Sequence, residues 1–335
     1  MKGYSIGIDI GGTSIKAAAF FGNADRDGLI SGEIRRYPTR TADGAAPVRE
    51  IIERAIDEIS RGLPGRMIAI GVGTPGLVDR EGNLIGAAVN IPGWDGLPLS
   101  RALEERWRVP VSVANDANMT AYGEWRFGAE TGSAGDSLVC ISLGTGIGGG
   151  VVLDGRILVG AGGMAGEIGH VVVEEGGRPC NCGLSGCLER YSSATGIAVS
   201  AVRMAPDFDS PLSREIAAGT AGPTAKQVYR ALSAGDSLAA AVHRDSSRHL
   251  AKAIGVLAQT VNPKVIVLGG GVLEAGDIII EGIREFLPRF VMPMSLERLN
   301  IRRAALGESA GGWGAAAHAR GKNTELYFPP PHQYT

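Results

Sequence analysis

Short apolar stretches that stop at glycine alternate along the chain with longer amphipathic stretches. Residues 4–9 and 15–21 predict two strands joined by the turn GGTS, and residues 33–37 predict a third. Residues 48–60 repeat apolar side chains at helical spacing, which predicts a helix with one buried face. The MIAIGVG stretch at 67–73 is apolar throughout and predicts a strand buried on both faces. The first part of the chain therefore predicts a hairpin, a helix and an inner strand.

The same succession recurs later in the chain. Residues 137–143 and 149–153 predict a second hairpin around GTGIGG, and helical stretches follow it as far as residues 238–260. KVIVLGGG at 264–271 predicts another buried strand, and residues 278–286 predict a helix behind it. No repeat of fixed period is visible. The recurrence nevertheless predicts an internal duplication, with a cleft between the two halves.

Two segments are rich in turn-forming residues and are expected to be loosely held. They are residues 207–223 and the stretch ELYFPPPHQYT at 325–335.

Composition narrows the classes of protein that the chain can belong to. At 335 residues it has room for two domains of about 100 to 200 residues each. An apolar share of 44% is that of a globular protein, and a formal net charge of -2 favours neither nucleic acid nor a membrane surface as a partner. The first residues show no secretory signal and no window predicts a spanning helix, so we expect a cytoplasmic protein that acts on small metabolites. Four cysteines in so long a chain are expected to stay thiols rather than form a disulfide framework.

Three glycine turns stand at predicted strand ends. Gly11 and Gly12 of DIGGTSIK carry no side chain, so backbone N–H groups can approach an anion closely beside the carboxylate of Asp9. A tight hairpin alone would also explain such a pair. LGTGIGGG at 143–150 repeats this chemistry, although neither turn matches the P-loop or the dinucleotide fingerprint. With LGGGV at 268–272, whose glycines would admit a flat nucleoside, the set predicts three phosphate or nucleotide turns.

The polar run NDAN follows a strand predicted to end near Ala114. Asn115, Asp116 and Asn118 can all cap the helix that comes next, and capping alone would explain them. Asp116 also lies at a strand end, however, where ligands of α/β sheets usually bind. Phosphoryl transfer needs a carboxylate that accepts the proton of the attacking hydroxyl. We therefore predict that Asp116 is a general base.

Residues 166–190 concentrate metal-ligand chemistry. Cys180, Cys182 and Cys187 together with His170 make a tetrahedral four-ligand set that suits zinc and leaves no open position, so the site is expected to be structural. A redox motif would more naturally have the C-x-x-C spacing. Cys140 lies in an apolar strand and is expected to be a small buried hydrophobe.

His170 is expected to have a second role. Because a metal-bound histidine usually donates its other ring N–H to a partner, a sugar hydroxyl could be that partner. Glu167 and Glu189 flank the cysteine stretch and would be hydrogen-bond acceptors in the same pocket. The alternative for both acids is a solvated surface carboxylate.

These motifs resemble the ROK family of sugar kinases and sugar-responsive repressors, over roughly residues 4–320. The resemblance rests above all on GEIGH followed by CNCGLSGCLE. It implies an α/β fold of two RNase H-like domains of the actin and sugar kinase superfold, which flank a cleft, with a zinc knuckle in the larger one. The implied boundaries are 1–116 plus about 308–335 for the smaller domain and 117–307 for the larger, with a zinc-binding loop at 170–187.

The resemblance also implies roles for individual residues. Asp116 would be the catalytic base, and Asp9 would help to hold magnesium. The nucleotide would be bound by Gly11, Gly12, Thr13, Gly144, Thr145, Gly146, Gly270 and Gly271. The sugar would be bound by Gly76, Asn90, Asn115, Asp116, Glu167, His170 and Glu189.

The function implied is an ATP- and magnesium-dependent kinase that phosphorylates the 6-hydroxyl of a hexose, most simply glucose, in a homodimer with structural zinc. N-acetylmannosamine, N-acetylglucosamine and a polyphosphate donor are open alternatives. A repressor of the family is expected to carry a winged helix-turn-helix before the first glycine turn, and the sequence predicts none there. A chaperone-like ATPase of the superfold would have no use for the zinc ligands and the sugar acids.

Overall fold

The computed structural model describes residues 3–21, 30–79, 82–86, 91–128, 136–219 and 222–321. Contacts divide the chain into two compact units. Unit 1 comprises Met1–Cys140, Gly150–Gly166 and Ala305–Thr335, and unit 2 comprises Ile141–Gly149 and Glu167–Ala304. The domain boundaries implied by the resemblance stay predictions.

Strands and helices alternate along the chain. The strands are β1 (Tyr4–Ile10), β2 (Ser14–Phe21), β3 (Ile30–Ser31), β4 (Arg35–Pro38), β5 (Met67–Thr74), β6 (Leu77–Val78), β7 (Leu84–Gly86), β8 (Val111–Asn115), β9 (Leu138–Leu143), β10 (Ile147–Leu153), β11 (Arg156–Ile157), β12 (Val265–Gly269) and β13 (Asn300–Arg303). The α-helices are α1 (Ala45–Ser60), α2 (Leu99–Trp107), α3 (Asp116–Gly123), α4 (Glu189–Ser192), α5 (Ala194–Met204), α6 (Pro211–Ala217), α7 (Ala225–Ser233), α8 (Ser237–Thr260), α9 (Ile278–Phe286), α10 (Pro293–Leu296) and α11 (Ala310–Arg320).

A mixed sheet forms the centre of unit 1. Its order is β3-β2-β1-β5-β8, and β4 also pairs with β2. β1 is antiparallel to β2 and parallel to β5, which is in turn parallel to β8. The apolar face of α1 is buried against this sheet through residues such as Val48, Ile52 and Ile56, as the helical spacing predicted.

Glycines let α11 lie directly on the backbone of the same sheet. A Cβ on Gly7 would overlap the carbonyl of Gly312, and one on Gly71 would overlap that of Ala315. Gly314 of α11 in turn lies against the carbonyl of Met119 in α3. The small residues of this segment therefore allow an approach that larger side chains would prevent.

The other main sheet has the order β11-β10-β9-β12-β13, in which β12 and β13 are parallel. Unit 2 contains β12 and β13 of this sheet and is mainly helical. Its longest helix, α8, is buried along most of its length. The structure confirms, to within a few residues, the predicted strands at both hairpins and the inner strands at 67–73 and 264–271. It also confirms the predicted helices at 48–60 and 278–286. Among the described residues, no helix combines the length and the apolar character needed to cross a bilayer.

The expectation of a loose segment at 207–223 is wrong for Pro211–Ala217, which forms helix α6. Ser210 caps this helix in a reciprocal capping box with Ser213, and Pro211 stands at its first turn. Asp236 fixes the cap from α8's N-terminus, because its carboxylate accepts hydrogen bonds from the Ser210 hydroxyl and the Leu212 N–H. The stretch at 325–335 lies outside the described residues.

Candidate active site

A buried threonine from a distant part of the chain, Thr39, is hydrogen-bonded to the first glycine turn. The Gly11 N–H donates to the Ser14 carbonyl at 3.0 Å and closes the turn between β1 and β2. Thr39 is fully buried, and its hydroxyl donates to the Gly11 carbonyl at 2.7 Å while its N–H donates to the Thr13 carbonyl at 3.1 Å. Gly12 and Thr13 stay exposed, and a Cβ on Gly12 would meet no atom within 4 Å. The turn is therefore fixed in shape and open to a ligand.

Asp9 lies one residue before the end of β1, in a site that disfavours its charge. It pairs in register with Lys16 across the hairpin, and its carboxyl lies against Gly311 of α11. Burial raises the pKa of Asp9 to about 6, while the positive charge of Lys16 opposes the shift. A carboxylate that is costly to ionise in the empty protein is one that a bound cation would stabilise.

This pKa predicts a pH-dependent cost to stability. Between the ordinary value of 3.8 and about 6, the folded protein keeps a proton on Asp9 that the unfolded chain has released. Asp9 therefore contributes stability at low pH that is lost as the pH rises through about 6. We expect Asp9→Asn, without added magnesium, to raise the free energy of unfolding by about 2 kcal/mol at pH 8 and to change it little at pH 4.

Urea unfolding at the two pH values measures this difference. Asp95→Asn, at an exposed aspartate of the same unit, is the control and is expected to have the same small effect at both pH values. A gain for Asp9→Asn that does not depend on pH would contradict the assigned cause.

Asn115 and Asp116 stand where β8 passes into α3. The Asn115 side chain caps the helix by accepting from the N–H groups of Ala117 and Asn118, and it donates to the Gly76 carbonyl at 3.1 Å. The prediction that Asn115 caps the helix is thus confirmed. Asn115 and Gly76, which were both predicted to contact the sugar, are in direct contact. Asp116 is the first residue of α3, and its Oδ1 accepts from the Ala117 N–H at 2.9 Å.

A buried hydrogen bond joins the segment that leads into Gly76 to Trp94 inside unit 1. The indole N–H of Trp94, which is fully buried, donates to the Thr74 hydroxyl at 2.9 Å. Thr74 ends β5 and leads into Gly76, whose φ of +91° lies in the region that favours glycine. Asn90 lies outside the described residues.

The second glycine turn lies in unit 2 and is held by the start of α4 and α5. The Gly144 carbonyl accepts from the Ala194 N–H at 2.8 Å, and the Thr145 carbonyl accepts from the Thr195 hydroxyl at 2.9 Å. Glu189 Oε2 accepts from the Ile147 N–H at 2.9 Å, and a Cβ on Gly146 would overlap this carboxylate. Glu189 thus lies directly on a predicted phosphate turn.

The third glycine turn borders a cavity in unit 2. Gly270 has a φ of +90°, and a Cβ there would come within 2.5 to 2.7 Å of the Leu143 backbone. Gly271 begins the wall of a cavity of about 560 Å³ whose other lining residues include Ala194, Tyr229 and Arg230. The predicted nucleoside turn therefore opens onto a space large enough for a purine nucleoside.

His170, Cys180, Cys182 and Cys187 are brought together in unit 2, with ligand atoms that all lie within 4.8 Å of one another. His170 Nδ1 is 3.6 Å from Cys180 Sγ, and Cys182 Sγ is 3.6 Å from Cys187 Sγ. A tetrahedral zinc with ordinary bond lengths would separate its ligands by about 3.5 to 3.8 Å, so this donor set fits zinc. The Nδ1 contact leaves Nε2 of His170 for another partner. Glu167 immediately precedes the short 3₁₀ turn Ile168–His170 and accepts the His170 N–H at its carbonyl.

The thiols of this cluster differ in acidity. A hydrogen bond from the Leu184 N–H is the main cause that lowers the pKa of Cys182, whereas burial raises the pKa of Cys187 to about 12. Metal binding must therefore displace a proton from Cys187 at neutral pH. The bends that close the loop fall at Gly183 and Gly186, with φ of +92° and +85°.

A protein family model matches this chain over nearly its whole length. The model of the ROK family matches residues 5–322, which is nearly the whole chain. This chain belongs to the ROK family. The resemblance inferred from GEIGH and the cysteine motif is therefore confirmed, and the mixed α/β fold is that of ROK sugar kinases.

Individual members of the ROK family match over most of their length. A glucokinase of Halalkalibacterium halodurans is 41% identical over 92% of this chain and 93% of its own. The crystal structure of a ROK family glucokinase from Streptomyces griseus in complex with glucose and AMPPNP matches with a TM-score of 0.75 and 32% identity, over 95% of this chain and 99% of that one. An N-acetylmannosamine kinase of Escherichia fergusonii is 32% identical over 80% of this chain and 83% of its own.

Sequence reasoning missed several residues that shape the site of this ROK protein. Thr39, which holds the first turn, gives no local signal because its partners lie 26 and 28 residues away. Lys16 stands opposite Asp9 in the hairpin, and its ammonium is 3.5 Å from the Glu308 carboxylate, which precedes α11. The predicted strands and their turn at residues 11–14 would place Lys16 opposite Asp9, but they give no sign of Glu308.

Proposed function

We propose that this ROK protein is an ATP- and magnesium-dependent glucokinase that transfers the γ-phosphoryl group to the 6-hydroxyl of glucose. The observation that carries the proposal is the position of Glu189. This residue follows Cys187 of the metal-ligand cluster by two positions, and its carboxylate accepts the Ile147 N–H of the second glycine turn. One side chain thus joins a predicted sugar loop to a predicted phosphate turn. A relative named glucokinase, at 41% identity over 92% of the chain, favours glucose as the sugar.

In this mechanism Asp116 orients the attacking hydroxyl and accepts its proton. The phosphates are bound by the backbone N–H groups of Gly12 and Thr13 in the first turn and of Thr145 and Gly146 in the second. The N–H groups of Gly11 and Gly144 instead shape these turns, because each is already hydrogen-bonded to a carbonyl of its own turn. Magnesium, when bound, neutralises charge on the triphosphate, and Asp9 is the residue proposed to hold it. The nucleoside occupies the cavity beside Gly271, and Gly270 lets the chain pass close to Leu143.

The sugar contacts of the proposal are Gly76, Asn90, Asn115, Glu167, His170 and Glu189. Asn115 has one amide hydrogen committed to Gly76, which fixes the direction of its other one. Zinc, when bound, keeps the cysteine loop in one conformation, so that His170 Nε2 points in a fixed direction toward a sugar hydroxyl. The proposal includes a cytoplasmic homodimer that does not bind nucleic acid.

A coupled assay tests the proposal with a panel of sugars and donors. We expect kcat/KM with glucose and ATP to exceed that with N-acetylmannosamine or N-acetylglucosamine by at least about a hundredfold, because a pocket shaped for a 2-hydroxyl excludes the larger acetamido group. Polyphosphate is expected to replace ATP poorly. A preference for an amino sugar would mean that the protein is an amino-sugar kinase of the same family. The absence of turnover with every sugar would overturn the proposed kinase activity.

A further inference from the structure

The cysteine loop of unit 2, residues 170–187, is attached to the rest of the unit by a stack of three side chains. Arg178 lies over the ring of Tyr191 with its guanidinium carbon 4.4 Å from the ring centroid. The Tyr191 ring also packs on the ring of His249 in α8, at a centroid distance of 4.2 Å and an interplanar angle of 31°. Tyr191 and His249 are both buried, with 5% and 1% of their surface exposed. The stack therefore joins the loop, α4 and α8 in a desolvated environment.

Hydrogen bonds fix this stack at both ends. The Arg178 N–H donates to the Tyr191 hydroxyl at 2.8 Å, and the Arg178 guanidinium donates to the Arg190 carbonyl at 2.7 Å and to the Ser200 hydroxyl at 2.8 Å. At the other end, His249 Nε2 lies 3.3 Å from the carboxylate of Glu174, which belongs to the loop. The loop is thus bound at two of its residues, Arg178 and Glu174.

Two glycines make room for this arrangement. A Cβ on Gly177 would overlap the Tyr191 hydroxyl, and a Cβ on Gly196 would come within 2.8 Å of the backbone of Arg190 and Tyr191. Packing this close allows Tyr191 little freedom to move. Because α4 has only the four residues Glu189–Ser192, a displacement of Tyr191 displaces Glu189 with it.

We propose that Tyr191 is a positioning residue, which through Arg178 and His249 holds the cysteine loop against α4 and thereby sets the place of Glu189. The inference rests on the proposed function in one respect, that Glu189 contacts the sugar. It adds that the metal cluster and the Glu189 contact with the second glycine turn depend on the same side chain. Loss of the Tyr191 hydroxyl therefore has two effects. It loosens the cysteine loop, and it shifts Glu189, the proposed hydrogen-bond acceptor for the sugar.

The test is Tyr191→Phe in the full, zinc-loaded chain. This change keeps the ring contacts and leaves the part-buried Arg178 N–H without its acceptor. We expect zinc to stay bound at one equivalent but to transfer to a chromophoric chelator roughly tenfold faster, and the KM for glucose to rise roughly tenfold with kcat within about twofold. The visible spectrum of the cobalt-loaded variant is expected to differ from that of the cobalt-loaded parent, because ligand geometry controls these bands.

A matched control separates positioning from general stability. Tyr122 of unit 1 is also a buried tyrosine whose ring packs on a histidine, His318, at 5.4 Å, and Tyr122→Phe is expected to leave zinc transfer, cobalt spectrum and KM unchanged. If Tyr191→Phe lowered only the melting temperature and left these three quantities as in the parent, the inference would be overturned.

A second variant covers the case in which Tyr191→Phe does not fold. Arg178→Lys keeps the N–H to Tyr191 but removes the guanidinium bonds, and it is expected to change zinc transfer and KM in the same direction by a smaller factor. Unchanged values in this variant would overturn the inference. Should the parent phosphorylate no sugar, zinc transfer and the cobalt spectrum still decide the inference, so its failure is distinguishable from failure of the proposed function.

Discussion

Replacing Asp116 by asparagine is expected to lower kcat at least about a thousandfold while the glucose dissociation constant changes by less than about twofold. The amide has the size of the carboxylate and keeps an oxygen for the Ala117 N–H, so the first turn of α3 stays intact. It cannot accept the proton of the attacking hydroxyl. A coupled assay measures kcat, and calorimetry with glucose alone measures binding.

The control for this substitution is an aspartate that has only a capping role. Asp236 caps α8 by accepting from the Ala239 N–H, and its carboxylate also accepts from the Leu212 N–H. Asp236→Asn is therefore expected to lower the free energy of unfolding by about 1 kcal/mol and to leave kcat within about twofold. Turnover by Asp116→Asn at a rate close to that of the parent would mean that Asp116, too, is only part of a helix start.

Replacing Cys182 by serine is expected to remove zinc from the protein and to raise the KM for glucose at least about tenfold. A serine hydroxyl is a much weaker zinc ligand than a thiolate, and three ligands do not close a structural site. Cys182 is exposed, so the change leaves no cavity and its effect can be assigned to the metal. Zinc content is measured by atomic absorption, and KM by the coupled assay at saturating ATP.

Cys140→Ala is the matched control, because Cys140 is buried in β9 and lies outside the metal-ligand cluster. It is expected to retain one equivalent of zinc and the parental KM. A Cys182→Ser protein that holds no metal and still binds glucose with parental affinity would refute the link between the metal loop and the sugar.

Local patterns in the sequence were enough for the strands and helices that flank the glycine turns and for the chemistry within each motif. The strands at the glycine turns followed from short apolar runs, and the cysteine and histidine cluster followed from ligand type and spacing. What could not be predicted depends on contacts between distant segments. Thr39 holds the first turn from another strand end, and Glu189 reaches the Ile147 N–H across 42 residues.

Helix α6 is a different kind of error. Proline and serine near residue 210 indicated a turn, but a serine cap followed by proline at the first helical position is also a sign of a helix start. The decisive stabilisation comes from the Asp236 carboxylate, which is 24 to 26 residues away along the chain. A local composition rule therefore favoured the wrong state.

The closeness of α11 to the sheet of unit 1 limits how this enzyme could be made more heat-resistant. Exchanging helical glycines for alanine is a common route to thermostability, since alanine restricts the unfolded chain. In α11 the exchange is blocked at Gly314, where a methyl group would overlap the Met119 carbonyl, and at Gly311, where it would come within 2.8 Å of the Asp9 carboxyl carbon. Gly312 meets only the tip of the Phe20 ring at 3.7 Å, so an engineer who wants a more rigid catalyst should begin there.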